Sequence, residues 1–152
     1  MRISRFELLQ ILFAEIIVSG EVHREVTVQG KGQPGAIQTE QAEWIHVKRI
    51  SDRALHAQMS SAYNLGAGEV ATIILAKELP ADLTLMDERK ARLLAKAQGV
   101  PVLGSVGILE MSYRKGLVQD LRNIYQELEH QGIRIDRRIL NQSLAFHNFQ
   151  PL

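Results

Sequence analysis

The sequence predicts an α/β fold with a largely parallel sheet, and three observations point to it. Short apolar or β-branched runs alternate with helical periodicities along the chain. Each strand candidate leads into a helix candidate, which is the connection that neighbouring parallel strands need. Hydrophobic residues make up 45% of the 152 and charged residues 23%, which suits one domain with one ordinary core.

The elements follow in order. Phe6, Leu9, Leu12 and Phe13 form a helical stripe, and the segment from Met1 onward reads as the start of that helix rather than as a leader. Ile16-Ile-Val18 is a short buried strand, and Ser19 and Gly20 cap a second helix running through Val22 and Val26. The segment from Gly30 to Gly35 is a loop by composition. Trp44 to Ile50 alternates as a strand covered on one side, near a sheet edge, and Ser51-Asp52 caps a helix through Leu55 and Met59. Gly66-Ala-Gly68 leads into Glu69–Lys77, whose apolar and alanine content predicts a buried helix. Leu83–Met86 is a strand, Asp87–Gln98 an amphipathic helix closed by Gly99, and Val100–Leu103 a further strand. Helices from Gly104 to about Lys115, near Gln119–Gln131 and over Asp136–Phe146 complete the chain. No repeat or linker divides it, so a single domain over residues 1–152 is expected.

Composition narrows the function. Lys and Arg number 18 against 17 Asp and Glu, a formal net charge of +1, so nucleic-acid binding has to come from a local patch rather than bulk charge. The absence of cysteine excludes disulfides, thiol catalysis and thiolate zinc sites, and fits a reducing cytoplasm. No apolar stretch approaches the roughly 18 residues of a membrane span.

Sites in open parallel sheets gather at the carboxyl ends of the strands. Ser19 and Glu25 follow the first strand, Asp52 the second, Asp87 the third and Ser105 the fourth, with Glu69 opening the buried helix. Glu25, Glu69 and Asp87, with no histidine or cysteine at ligand spacing, form a hard-oxygen set suited to Mg²⁺ or Mn²⁺. Such ions activate water and neutralise charge on a phosphate being cleaved. Simpler roles compete: Glu69 complements a helix dipole, Asp87 and Ser105 suit helix caps, and Glu25 suits a solvated face. Arg89, Lys90 and Arg92 read as a solvated face beside Asp87, where an RNA phosphate would approach. Gly30-Lys-Gly32-Gln-Pro-Gly35 matches G-x-G-x-x-G, but no apolar strand feeds it and Pro34 removes a backbone donor. It is a loop.

From Leu65-Gly-Ala-Gly-Glu69 the sequence resembles the PIN-domain superfamily. The similarity continues through Gly68-Glu69-Val-Ala-Thr-Ile-Ile-Leu-Ala, Ala81-Asp-Leu-Thr-Leu-Met-Asp87-Glu-Arg-Lys-Ala-Arg92 and Gly99-Val-Pro-Val-Leu-Gly-Ser105-Val-Gly107. Upstream, Val18-Ser-Gly-Glu-Val-His-Arg-Glu25-Val26 is similar to the segment of that family ending in an acid after a strand, without its usual proline. The nearest branch is prokaryotic, described as nucleic-acid-binding and related to VapC-type toxin ribonucleases. The resemblance covers roughly residues 5 to 146. It implies a three-layer α/β/α sandwich with a mostly parallel central sheet, and Mg²⁺- or Mn²⁺-dependent hydrolysis of RNA. Glu25, Glu69 and Asp87 take the acidic positions and Ser105 the supporting hydroxyl. One departure is serious. The family begins with a hydrophobic strand ending in an Asp that is the central ligand; here Met1–Phe6 aligns after that strand, and Asp52 is misplaced to substitute. Either the start lies further upstream, or a partner fills the gap, or this form is catalytically compromised. Loss of a central strand leaves its neighbouring ladders unpaired.

Two functions compete. One is a ribonuclease, the toxin of a toxin–antitoxin pair held in check by a small antitoxin protein. The other is a non-catalytic PIN-like module that binds RNA or a protein partner, or forms a homo-oligomer. Neither involves a membrane.

Overall fold

The computed structural model describes residues 5–33 and 35–152; Met1–Ser4, the opening of the expected first helix, and Pro34 of the glycine loop lie outside them. The chain divides into two compact units, Met1–Leu103 and Gly104–Leu152.

The first unit opens with α1 (Arg5–Phe13), then β1 (Ile16–Ser19) and α2 (Gly20–Arg24). Leu8, outside the expected stripe, is the most buried side chain of α1, because this helix is apolar on nearly every side. The second helix does not run through Val26 as an α-helix. It changes at Glu25 into a π-helical turn, Glu25–Gln29, a rare geometry that recurs at functional positions. A short α3 (Ala36–Gln41), which the sequence pattern missed, precedes β2 (Ile45–Lys48). Asp52 caps α4 (Arg53–Tyr63) by accepting from the Leu55 N–H at 2.8 Å.

Helix α5 (Ala67–Glu78) is the centre of the unit. Val70, Ala71, Ile73, Ile74 and Leu75 are all buried, as the apolar run predicts. β3 (Thr84–Leu85), α6 (Arg89–Ala97) and β4 (Val102–Leu103) follow, each shorter than expected. Gly99 ends the α6 segment at φ +74°, a conformation that favours glycine. Ile50, Met59, Met86, Ala91, Leu94, Ala95 and Val100 close the core around α5.

Both strand pairs are parallel, in agreement with the predicted fold class. β1 pairs with β2 from Ile16 opposite Ile45 to Ser19 opposite Lys48, and β3 pairs with β4 at Thr84–Val102 and Leu85–Leu103. They form two two-stranded sheets rather than one continuous ladder. Helix α5 nevertheless packs on both β1 and β3.

The second unit consists of α7 (Ser105–Arg114), α8 (Leu121–His130) and α9 (Arg137–Phe146), packed on one another. Leu121, Tyr125, Leu140 and Leu144 are fully buried there. The Tyr125 hydroxyl lies 2.7 Å from Ser143 Oγ in this core. Tyr125→Phe leaves Ser143 without its partner and is expected to lower stability by about 1–3 kcal/mol, measured as the shift of the urea unfolding midpoint at constant slope. No helix of the described residues is long and apolar enough to cross a membrane.

Candidate functional site

Two of the predicted acids meet at the first turn of α5. Glu25 reaches it from the π-helical turn after α2, and its Oε1 accepts from the Gly68 N–H at 3.1 Å. Glu69 belongs to that turn, and its carboxylate folds back over Gly66. The N-terminal N–H groups of a helix lack intrahelical partners and carry partial positive charge, so they stabilise carboxylates placed there.

The same geometry explains the Gly66-x-Gly68 spacing. A Cβ on Gly68 would fall 2.5 Å from Glu25 Oε2, and one on Gly66 would overlap the Glu69 carboxylate. Neither glycine has an unusual φ that demands it. What a Cβ would displace at each is the carboxylate end of a glutamate side chain.

Asp87 lies at the carboxyl end of β3, held by two neighbours. The adjacent Met86 N–H donates to the Leu103 carbonyl at 3.0 Å, and the Arg92 guanidinium donates to the Asp87 carbonyl. Glu88, not Asp87, caps α6 through the Ala91 N–H. Arg92 therefore turns back to the β3–α6 junction instead of standing on a solvated face, which corrects that expectation. Ser105 is the first residue of α7, whose cap is Gly104 without a side-chain bond, so the simple cap role for its hydroxyl is not seen. Ser19 and Asp52 cap α2 and α4.

An ion pair that the sequence pattern did not single out braces this region. Arg53 at the start of α4 bonds Glu21 of α2, whose side chain is only 10% exposed. His56 Nε2, one turn on, lies 2.9 Å from the Ala67 carbonyl, and Glu78 accepts from the Ser51 N–H at 2.9 Å. An acid in a helix's first turn reads as a dipole complement, so nothing in the sequence marked Glu21. Burial pushes the Glu21 carboxyl up, but the Arg53 hydrogen bond, its own backbone N–H and the nearby positive charge outweigh this and leave it below its ordinary value. A lowered folded-state value contributes stability above the ordinary value of 4.5, lost as the pH falls through the lowered one. Arg53→Ala is expected to lower the urea midpoint at pH 7, with the difference from the parent protein shrinking as the pH falls below 4.5.

Among the described residues, no group of three or more His, Asp or Glu side chains is placed to hold a metal ion. The donors still suit Mg²⁺ in kind, because that ion is usually held by one or two carboxylates with water and substrate phosphates. Glu25 and Glu69 supply such a pair on the first turn of α5.

Short parallel strands, each leading into a helix, place the chain in the class of α/β proteins. A family model described as a PIN domain matches residues 1–148, and the chain belongs to the PIN-domain family. No curated protein and no solved structure gives a significant match.

Proposed function

We propose that this PIN domain is a ribonuclease that hydrolyses RNA phosphodiesters with Mg²⁺ or Mn²⁺, acting in the cytoplasm as the toxin of a toxin–antitoxin pair. The observation that carries this reading is the convergence of Glu25 and Glu69 on the first turn of α5, which packs on β3, two residues before Asp87. Glu25, Glu69 and Asp87 would hold the ion. When bound, the ion supplies Lewis-acid activation of water and neutralises charge on the phosphate. The chain's own part is to orient the acids. The Gly68 N–H fixes Glu25, and Arg92 fixes the backbone at Asp87. We also read the two units as one domain, since the family match spans both.

A second reading is favoured by a specific observation. Glu25 already has a partner in the Gly68 N–H, and no three-residue group among the described residues is placed around an ion. A non-catalytic module that binds RNA, an antitoxin-like protein or a second copy would tolerate both facts. Incubating labelled single-stranded RNA with the protein in Mn²⁺ or in EDTA separates the two. Cleavage in Mn²⁺ that EDTA abolishes supports the ribonuclease, and intact RNA under both conditions leaves the binding module.

A further inference from the structure

We infer that the exposed face of α6 binds the phosphate backbone of single-stranded RNA, an inference that rests on the proposed action on RNA but not on cleavage. Four of the chain's 18 cations fall on this one helix: Arg89, Lys90, Arg92 and Lys96. Ala91, Leu94 and Ala95 face the core, so the helical repeat turns Arg89, Leu93 and Lys96 to the opposite side. Arg89, Lys90 and Lys96 are exposed and enter no ion pair among the described residues. Leu93, between Arg89 and Lys96, is 59% exposed.

The stability of the helix does not explain this arrangement. No acidic residue stands in its first turn, where the dipole would favour one; Arg89 and Lys90 stand there instead. Arg89 and Arg92 at i, i+3, and Arg92 and Lys96 at i, i+4, are like-charged neighbours that mildly destabilise a helix. Solvated helix faces usually interleave the two signs. Arg89 and Lys90 in the first turn, against the dipole and without an ion pair among the described residues, together with Lys96 and the exposed Leu93, suit a flexible polyanion whose phosphates meet cations and whose bases meet an apolar surface. The helix begins two residues after Asp87, so a strand lying along it runs to that acid. The net charge of +1 conceals this patch, because acids elsewhere balance it.

The test is binding of a fluorescent single-stranded RNA in EDTA, which prevents metal-dependent cleavage, across a series of salt concentrations. Each cation–phosphate contact adds about 0.7 to the slope of log affinity against log salt. Arg89→Gln with Lys96→Gln should therefore make the slope shallower by about 1.4 and weaken binding at least about tenfold at 0.1 M salt. Lys31→Gln with Lys115→Gln, an equal loss of charge at exposed positions on other elements, should leave the slope unchanged. Unchanged thermal melts establish that both variants fold. Equal slopes for the two variants, or no binding by the parent protein at low salt, would overturn the proposal. So would unchanged RNA binding by the Arg89/Lys96 variant alongside lost binding to an acidic protein, which would make α6 a protein-docking face. RNA binding through α6 without cleavage in Mn²⁺ keeps this proposal and removes the ribonuclease, whereas cleavage with an unchanged slope does the reverse.

Discussion

Glu69→Gln and Asp87→Asn will each reduce Mn²⁺-dependent RNA cleavage by about a hundredfold or more while leaving the fold intact. Both changes keep the shape of the side chain and remove its charge. The energy at stake is electrostatic. The carboxylates would act by holding the cation that neutralises charge on the phosphate, and losing a preorganised electrostatic contribution of this kind costs on the order of 10²–10³ in rate. Glu69 is held by its place in the first turn of α5, and Asp87 by the strand end that Met86 and Arg92 pin. Neither side chain is part of the buried core, so neutralising either should cost little stability. Single-turnover cleavage with circular dichroism on the same samples checks both halves of the expectation. Full activity in either variant removes that residue from the site.

The second large effect is expected at Gly68. Gly68→Ala places a methyl group 2.5 Å from Glu25 Oε2, so the end of this flexible side chain must swing aside, which breaks its 3.1 Å bond with the Gly68 N–H. Losing a charge-assisted hydrogen bond costs about 1.5–3 kcal/mol, an amount the gain in helix propensity from alanine, about 1 kcal/mol, only partly offsets. Activity should fall as far as in Glu25→Gln. The double variant Gly68→Ala/Glu25→Gln should be no worse than either alone, because both remove the same interaction. Additive losses would mean that Gly68 acts through something other than Glu25.

Much of this was legible in the sequence, and the reasons differ by element. The run Glu69–Lys77 announced a buried helix because residues apolar on every side have no other stable place. The parallel pairing followed from the alternation of elements. Glu25 was harder. From spacing alone it belonged to a polar helix face, and only its similarity to a family motif suggested a role; the π-helical turn that directs it at Gly68 has no simple periodicity to read. Gly66 and Gly68 looked like loop glycines, yet their cause lies in the carboxylates above them. Arg53 and Glu21 lie 32 residues apart, and a long-range pair leaves no trace in a single sequence. The strands β3 and β4 are only two residues long, shorter than their apolar runs suggest.

The central claim is that Glu25 and Glu69, gathered at the first turn of α5 with Asp87 at the end of β3, form one divalent-cation site. Calorimetric titration of Mn²⁺ into the parent protein, Glu25→Gln and Glu69→Gln tests it without depending on turnover. One site is expected in the parent protein, weakened about tenfold or more by each substitution. No Mn²⁺ binding by the parent protein, or binding that both variants retain unchanged, would contradict it.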